Sequence, residues 1–150
     1  MRLWYLFAAC SSLLAQVSAG GPVTKSPGDK VTLKISATSQ PARVPVALNW
    51  EVVFPAQLMD LESKATETGS AASDSGKSLQ CAPRKEYVWS CTLSGGQRPI
   101  GDGEIAIFHF IIRSTAQAGK AVLTIDGAEA IMADGKHAPL NKTESVVIIR

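Results

Sequence analysis

The segment Gly101–Arg113, with the sequence GDGEIAIFHFIIR, constrains the fold more than any other part of the chain. A turn-forming Gly-Asp-Gly leads directly into an unbroken apolar run. In an extended chain alternate side chains point to opposite faces, and here both faces are apolar apart from His109. We therefore expect the central strand of a β-sandwich, with His109 as an interior polar group that has a hydrogen-bond partner.

Segments with period-two alternation occur on both sides of this strand. Val31–Ser36 alternates apolar with polar side chains, and Val44–Phe54 is apolar at every even position, with Asn49 and Glu51 on its other face. Because Pro45 has no N–H for a ladder, the regular strand should begin after it. Weaker strands are predicted at Met59–Ser63, Leu79–Cys81, Tyr87–Leu93, Lys120–Asp126, Ala128–Met132, Ala138–Leu140 and Ser145–Ile149. No segment has convincing helical periodicity. Eight or nine strands at this spacing predict an all-β fold, an antiparallel β-sandwich or jelly roll.

The segment Lys64–Ser78, KATETGSAASDSGKS, is small and polar throughout. It lacks the apolar content of a core element, so it is predicted to be a mobile surface loop. Two alternatives stay open. Long loops in compact domains are often functional, and a short helical turn around Ala71–Asp74 is compatible with the composition.

The first 19 residues have the layout of a secretory signal peptide. Arg2 supplies a positive charge, Leu3–Leu14 forms an apolar body, and Val17–Ala19 provides a small-x-small cleavage motif. The apolar body is shorter than the about 20 residues that a membrane-spanning helix needs. Cleavage after Ala19 therefore predicts a protein that is secreted, to the periplasm or the extracellular space, without membrane insertion.

The predicted mature part, Gly20–Arg150, is expected to be a single domain. The whole chain of 150 residues is long enough for one domain and short for two. Its 15 basic and 13 acidic residues are scattered, which excludes the basic stripe of a nucleic-acid-binding protein. An alternative makes Cys10 the lipid-acceptor cysteine of a bacterial lipoprotein, although Phe7 fits poorly where such a motif has a small or aliphatic residue.

Cys81 and Cys91 are the only cysteines of the predicted mature chain. They lie on neighbouring strand candidates of an exported protein, where thiols oxidise, so a disulfide is predicted. The alternatives fit less well. A redox-active pair favours Cys-x-x-Cys spacing, and a zinc site needs two further ligands that the neighbouring sequence lacks.

The sequence contains no recognisable catalytic constellation. His109 and His137 are its only histidines, too few for a multi-histidine metal site. No serine lies in a Gly-x-Ser-x-Gly motif, no glycine-rich loop leads into a helix, and no pair of carboxylates has the pattern of a glycosidase dyad. The predictions are therefore no enzyme activity, no cofactor and no metal.

Aromatic side chains bear on whether the domain binds sugars, because exposed rings stack on the apolar faces of sugars. The aromatic residues of the mature part are Trp50, Phe54, Tyr87, Trp89, Phe108 and Phe110. Most lie on the apolar face of a strand, which favours core packing. Tyr87 and Trp89 are the least firmly assigned to the core, and they are the candidate ligand-binding residues if the domain binds carbohydrate.

Four local motifs occur together in an order that resembles the cohesin family. They are Pro27-Gly28-Asp29 before a strand, Val44-Pro45-Val46-Ala47-Leu48, the strand end Phe54-Pro55-Ala56-Gln57-Leu58, and Gly103-Glu104-Ile105-Ala106 before Phe108–Phe110. The likeness covers about residues 21–150. The Cys81/Cys91 pair followed by Leu93-Ser94-Gly95 is also similar to solitary cohesin-like proteins of environmental bacteria.

The resemblance implies a fold and a class of function. Cohesins are nine-stranded jelly rolls, related to carbohydrate-binding modules, that bind dockerin modules without catalysis. The calcium of such complexes belongs to the dockerin, so none is implied here. The expected function is a secreted recognition module for a protein partner, either a dockerin-like module or an envelope protein. The alternative is a carbohydrate-binding module that recognises an extracellular polysaccharide.

Overall fold

The computed structural model describes residues 11–16, of which only the backbone is described, and residues 23–39, 43–62, 64 and 66–150. This part of the chain forms twelve strands and one short helix. In chain order they are β1 (Ser11–Gln16), β2 (Val23–Lys25), β3 (Lys30–Ser39), β4 (Ala47–Val53), β5 (Met59–Leu61), β6 (Glu67–Thr68), α1 (Ser70–Asp74), β7 (Ser78–Lys85), β8 (Val88–Ser94), β9 (Gly103–Ile112), β10 (Gly119–Ile131), β11 (His137–Pro139) and β12 (Thr143–Ile149).

The strands form two sheets. The smaller sheet has the order β1-β3-β9-β5, with β6 also paired to β9, and the larger has the order β2-β12-β10-β4-β8-β7, with β11 also paired to β10. Every pair is antiparallel except β2 with β12, which is parallel. The apolar inner faces of both sheets form one core. The predicted antiparallel β-sandwich is confirmed.

β9 is the central strand of the smaller sheet, as predicted. Its inward side chains, Ala106, Phe108, Phe110 and Ile112, are fully buried. Its other face is less covered than expected, because Ile107 and Ile111 are only half-buried. The reason is that, among the described residues, only the short segment of β6 and α1 packs against the outer surface of β9.

His109 lies on that outer face and is half-buried, so its expected interior position is wrong. Its Nδ1 is 3.3 Å from Thr32 Oγ1, and its Nε2 is 3.5 Å from Glu67 Oε2. The imidazole therefore has hydrogen-bond partners, as expected, but it finds them on neighbouring strands at the surface.

β4 confirms the strand predicted after Pro45. Its even-numbered side chains Leu48, Trp50 and Val52 point into the core, followed by Phe54 just after the strand. The ring of Phe54 packs on that of Phe110, with 5.3 Å between centroids, and so links the two sheets.

The two strands predicted on either side of residue 127 are one strand, β10. Its ladder to β4 continues across a bulge between Asp126 and Glu129. Gly127 has φ of +56°, a conformation that glycine adopts without strain, so the strand bends there without ending.

The segment predicted to be a mobile loop, Lys64–Ser78, packs against the sandwich instead. It contains β6 and α1, and Ala72 of α1 is fully buried. The Gly69 N–H donates to the Ile105 carbonyl at 2.9 Å, and a Cβ at Gly69 would collide with the β9 backbone at Glu104. Because the residues at these contacts are small, the segment can approach the sheet closely. The polar composition of the segment did not predict this packing.

The hairpin around the cysteines is longer than predicted. β7 runs to Lys85 and β8 begins at Val88, so the turn is Glu86–Tyr87. The predicted strands Leu79–Cys81 and Tyr87–Leu93 would instead have left Ala82–Glu86 as the turn. Pro83 does not end the strand because β7 is the edge of its sheet, where a missing N–H breaks no ladder.

Part of the predicted signal peptide is a strand in this structure. β1 pairs with β3 over six residues, from Ser11 opposite Ser39 to Gln16 opposite Lys34. The predicted cleavage motif, Val17–Ala19, lies outside the described residues, as do Arg2 and Cys10, so cleavage stays a prediction. In the described part of the chain no helix has the length and apolar character to cross a membrane.

Candidate functional site

The cysteines form the predicted disulfide. Cys81 on β7 and Cys91 on β8 are directly opposite each other in the ladder, with Cα atoms 4.1 Å apart. Cys91 is buried in the core and Cys81 is half-buried at its margin. The bond attaches the edge strand β7 to the rest of the larger sheet, and so holds one side of the surface described next.

The outward side of β10, β4, β8 and β7 is the widest exposed sheet surface in the described chain. Directly opposite residues of an antiparallel pair share a face, so the register identifies its members. These residues, which we call the broad face, are Thr124, Asp126, Glu129, Asn49, Glu51, Val53, Ser90, Thr92, Gln80 and Ala82.

The side chains at the centre of the broad face are polar, and those on β8 are short. Asn49 and Glu51 on β4 lie opposite Thr92 and Ser90 on β8. Because the β8 side chains are short, Arg84 of β7 reaches across them and forms an ion pair with Glu51. None of the broad-face side chains is aromatic, so the surface is a flat mixture of hydroxyl, amide, aliphatic and charged groups.

The carboxylate side chains of the broad face lie on and next to β10. Asp126 lies opposite Glu51, and Glu129 lies opposite Asn49. The Glu51 charge is compensated by Arg84, and Glu129 Oε2 is 3.3 Å from His137 Nδ1. The broad face therefore has a neutral side on β7 and β8 and an acidic side on β10.

The two aromatic residues singled out from the sequence are not on the broad face. Trp89 points to the inner side of β8, where it is half-buried and packs against the core. Tyr87 lies in the β7–β8 turn and is 47% exposed. Sequence reasoning assigned both rings weakly to the core, which is right for Trp89 and wrong for Tyr87.

Both rings line a groove at one end of the sandwich, which we call the end groove. A cavity of about 470 Å³ is lined by Trp89, Asp60 and Arg113, and a second of about 310 Å³ by Tyr87 and Val122. The two cavities are neighbours, since Phe54, Ala56, Gln57 and Glu86 line both of them. Sequence reasoning missed the polar members, since only pairing of distant strands brings them together.

Two observations bear on metal binding and on a group whose pKa is shifted. Within the described residues, no three His, Cys, Asp or Glu side chains meet in a cluster that would hold a metal ion. The pKa of Lys77 is lowered, first by burial and then by the Arg98 charge. Lys77 Nζ is occupied, however, because it donates to the Gly95 carbonyl at 2.6 Å, on the loop after β8.

Comparison with known proteins identifies the fold. No model of a known protein family matches the sequence, and no curated protein does so either. Solved cohesin structures match over nearly the whole chain. The sixth cohesin of Acetivibrio cellulolyticus scaffoldin B, solved with a dockerin, has a TM-score of 0.72 and 16% identity, covering 93% of this chain and 99% of that one.

Two further matches come from outside such complexes. The cohesin module of a Clostridium perfringens family 33 glycoside hydrolase has a TM-score of 0.76 and 11% identity, covering 95% of this chain and 98% of that one. A non-cellulosomal cohesin from the archaeon Archaeoglobus fulgidus has a TM-score of 0.70 and 14% identity, covering 95% and 92%. The domain is cohesin-like in fold, as its motifs predicted.

Proposed function

We propose that this protein is a secreted, non-catalytic recognition module that binds a protein partner through the broad face. The observation that carries the proposal is the chemistry of that face, which is flat, free of aromatic rings and built from short polar and aliphatic side chains. A flat sheet surface offers contact area to another protein, whereas sugar-binding faces rely on exposed rings.

The size of the broad face suits a protein partner. Four strands of about seven residues cover roughly 20 by 24 Å, from the spacing between strands and the rise per residue. With side-chain relief and the adjoining β12, this approaches the ~800 Å² that each partner contributes to a standard interface. The disulfide and the sheet ladder hold the face rigid, so little conformational entropy is lost on binding.

The partner is proposed to be a dockerin-like module or an envelope protein. Support for the first comes from cohesins of the same fold that were solved with dockerins, including the one from Acetivibrio cellulolyticus. The acidic side of the broad face adds a chemical requirement. Asp126 and Glu129 favour a partner with Lys or Arg at that side, since complementary charge speeds association and fixes orientation.

Secretion is part of the proposal and rests on two supports. The sequence of residues 1–19 has the order of charge, apolar body and cleavage motif of a signal peptide. The Cys81–Cys91 disulfide is the kind of bond that persists in oxidising compartments.

Capture of partners on a broad-face variant tests the proposal. Ser90 is small, exposed and central, so Ser90→Arg puts a long charged side chain where the partner would lie. Gln117→Arg adds the same side chain at an exposed turn away from the face. Immobilised wild type and Gln117→Arg should retain the same protein from the organism's secreted and envelope fractions, and Ser90→Arg should lose it. Equal retention by all three would refute binding through the broad face.

A further inference from the structure

We propose that the end groove is a second binding site and that its ligand is a neutral oligosaccharide segment of one or two sugar rings. It adjoins the broad face, since Val53 belongs to both, but it differs in shape and chemistry because it is concave and carries aromatic rings. This inference does not require that the broad face binds a protein.

The groove lies where the chain crosses from the larger sheet to the smaller one. After Phe54 the chain leaves the larger sheet, turns, and continues as β5 in the smaller one. The Phe54 N–H donates to the Tyr87 carbonyl at 3.0 Å, which fixes the β7–β8 turn beside that crossover. The resulting volumes of about 470 and 310 Å³ are in the range of small-molecule sites.

The rings are placed to stack on sugars. Trp89 lines one end of the groove, and Tyr87 lines the other. In the described chain Tyr87 is the one large hydrophobic residue that is exposed. Exposed aromatic rings are amphipathic, and their faces suit the apolar C–H face of a pyranose, so two rings along one groove favour a ligand longer than a single sugar.

The polar groups between the rings can bind hydroxyl groups. Gln57 and Glu86 line both cavities, and neither side chain has a hydrogen-bond or ion-pair partner among the described residues. They offer one amide donor pair and several acceptor oxygens, from exposed side chains that line both cavities. Since nothing in the fold uses these groups, they remain available to a ligand.

The charges of the groove select against acidic sugars. Arg113 Nη2 lies 2.6 Å from Asp60 Oδ1, so the two opposite charges compensate each other. The remaining guanidinium N–H groups can still donate hydrogen bonds, and the second carboxylate oxygen can still accept them. Glu86 adds a carboxylate without an ion-pair partner among the described residues, and Lys85 Nζ lies over the Tyr87 ring, 6.0 Å from its centroid. A uronic acid would meet like charge at Glu86, whereas a neutral sugar would not.

Titration of the protein with soluble oligosaccharides tests the inference. The probes are cellohexaose, xylohexaose, mannohexaose and laminarihexaose, with an oligogalacturonate as the acidic comparison. Trp89 reports binding through its fluorescence, and the Trp89→Phe variant gives the signal of the other two tryptophans, Trp4 and Trp50. We expect at least one neutral probe to bind with Kd of about 10 μM to 1 mM, and the oligogalacturonate to bind at least ~10-fold more weakly.

Variants then assign the binding to the groove. Tyr87→Ala and Gln57→Ala, at surface positions, should each weaken binding by about 10-fold, and Trp89→Phe, which keeps a ring in the core, should weaken it less. Ser90→Arg on the broad face should leave it unchanged. The inference is overturned if no neutral probe binds up to ~10 mM. It is equally overturned if binding survives both Tyr87→Ala and Gln57→Ala, or if Ser90→Arg abolishes it.

Discussion

At the scale of single residues, Lys77 is a buried ammonium group that holds two loops together. It is 5% exposed, and its Nζ donates to backbone carbonyls of the loop after β8, Gly95 at 2.6 Å and Gly96 at 3.4 Å. A charged group bound only by neutral carbonyls still loses much of its hydration. This explains why the pKa of Lys77 falls below its usual value, with the Arg98 charge adding to the effect.

The lowered pKa of Lys77 predicts a pH dependence of stability. In the unfolded chain the pKa returns to its ordinary value, so the unfolded state binds more protons at pH values between the two. The free energy of unfolding therefore rises as pH increases through that window. Lys77→Met keeps a long apolar side chain but has no titrating group.

Urea unfolding from about pH 8 to about pH 10 measures the effect. The stability of wild type minus that of Lys77→Met should increase across this range, since contributions from all other groups cancel in the difference. Parallel curves for the two proteins would show that Lys77 titrates normally in the folded state.

At the scale of elements, the β7–β8 hairpin depends on its disulfide. The bond closes a loop with a sequence separation of 10 residues. On the chain-entropy model, closing so short a loop stabilises the fold by about 2 to 3 kcal/mol. Reduction should lower the free energy of unfolding in urea by that amount, with the Cys81→Ala/Cys91→Ala variant insensitive to reductant. Unchanged stability after both thiols are shown to be free would contradict the role given to the bond.

The segment before Gly20 gives a second prediction at this scale. The Gly20–Arg150 chain contains every apolar side chain that the structure describes as buried, from Val31 to Ile149. The Gly20–Arg150 chain should therefore fold cooperatively although the β3 edge loses its partner Ser11–Gln16. Thermal unfolding of this shortened chain, followed by circular dichroism, tests the prediction. A non-cooperative transition would contradict it.

N-terminal sequencing of the exported protein tests the predicted signal peptide and its cleavage site. We expect it to begin at Gly20, because the charge, the apolar body and the small-x-small motif agree on that site. An exported protein that begins at a lipid-modified Cys10 would support the lipoprotein alternative instead.

At the scale of the whole molecule, strand periodicity was enough to predict the sandwich and its core. The alternation in Val31–Ser36 and Val44–Phe54 is the direct consequence of one buried face, so it could be recognised without a structure. The segment Lys64–Ser78 could not be predicted in the same way. Its attachment depends on a backbone approach at Gly69 and on the distant carbonyls that Lys77 reaches, and neither leaves a periodic pattern.

The candidate sites were predictable only in part. The alternation of apolar and polar residues in β4 predicted that Asn49 and Glu51 point outward. Their neighbours on β8 and β10 depend on the register between strands, which local sequence does not specify. Tyr87 was misassigned because the turn is shifted by a proline that an edge strand tolerates. The end groove could not be predicted from the sequence, because Gln57, Glu86 and Arg113 come together only in the folded sandwich.

The central claim is that the broad face, and not the end groove, binds the protein partner. The most direct measurement is the Kd of the captured partner, purified, for wild type, Ser90→Arg and Tyr87→Ala under the same conditions. We predict that Ser90→Arg weakens binding by about 100-fold or more, while Tyr87→Ala changes it by less than about 3-fold. Loss of binding in Tyr87→Ala with wild-type affinity in Ser90→Arg would contradict the account.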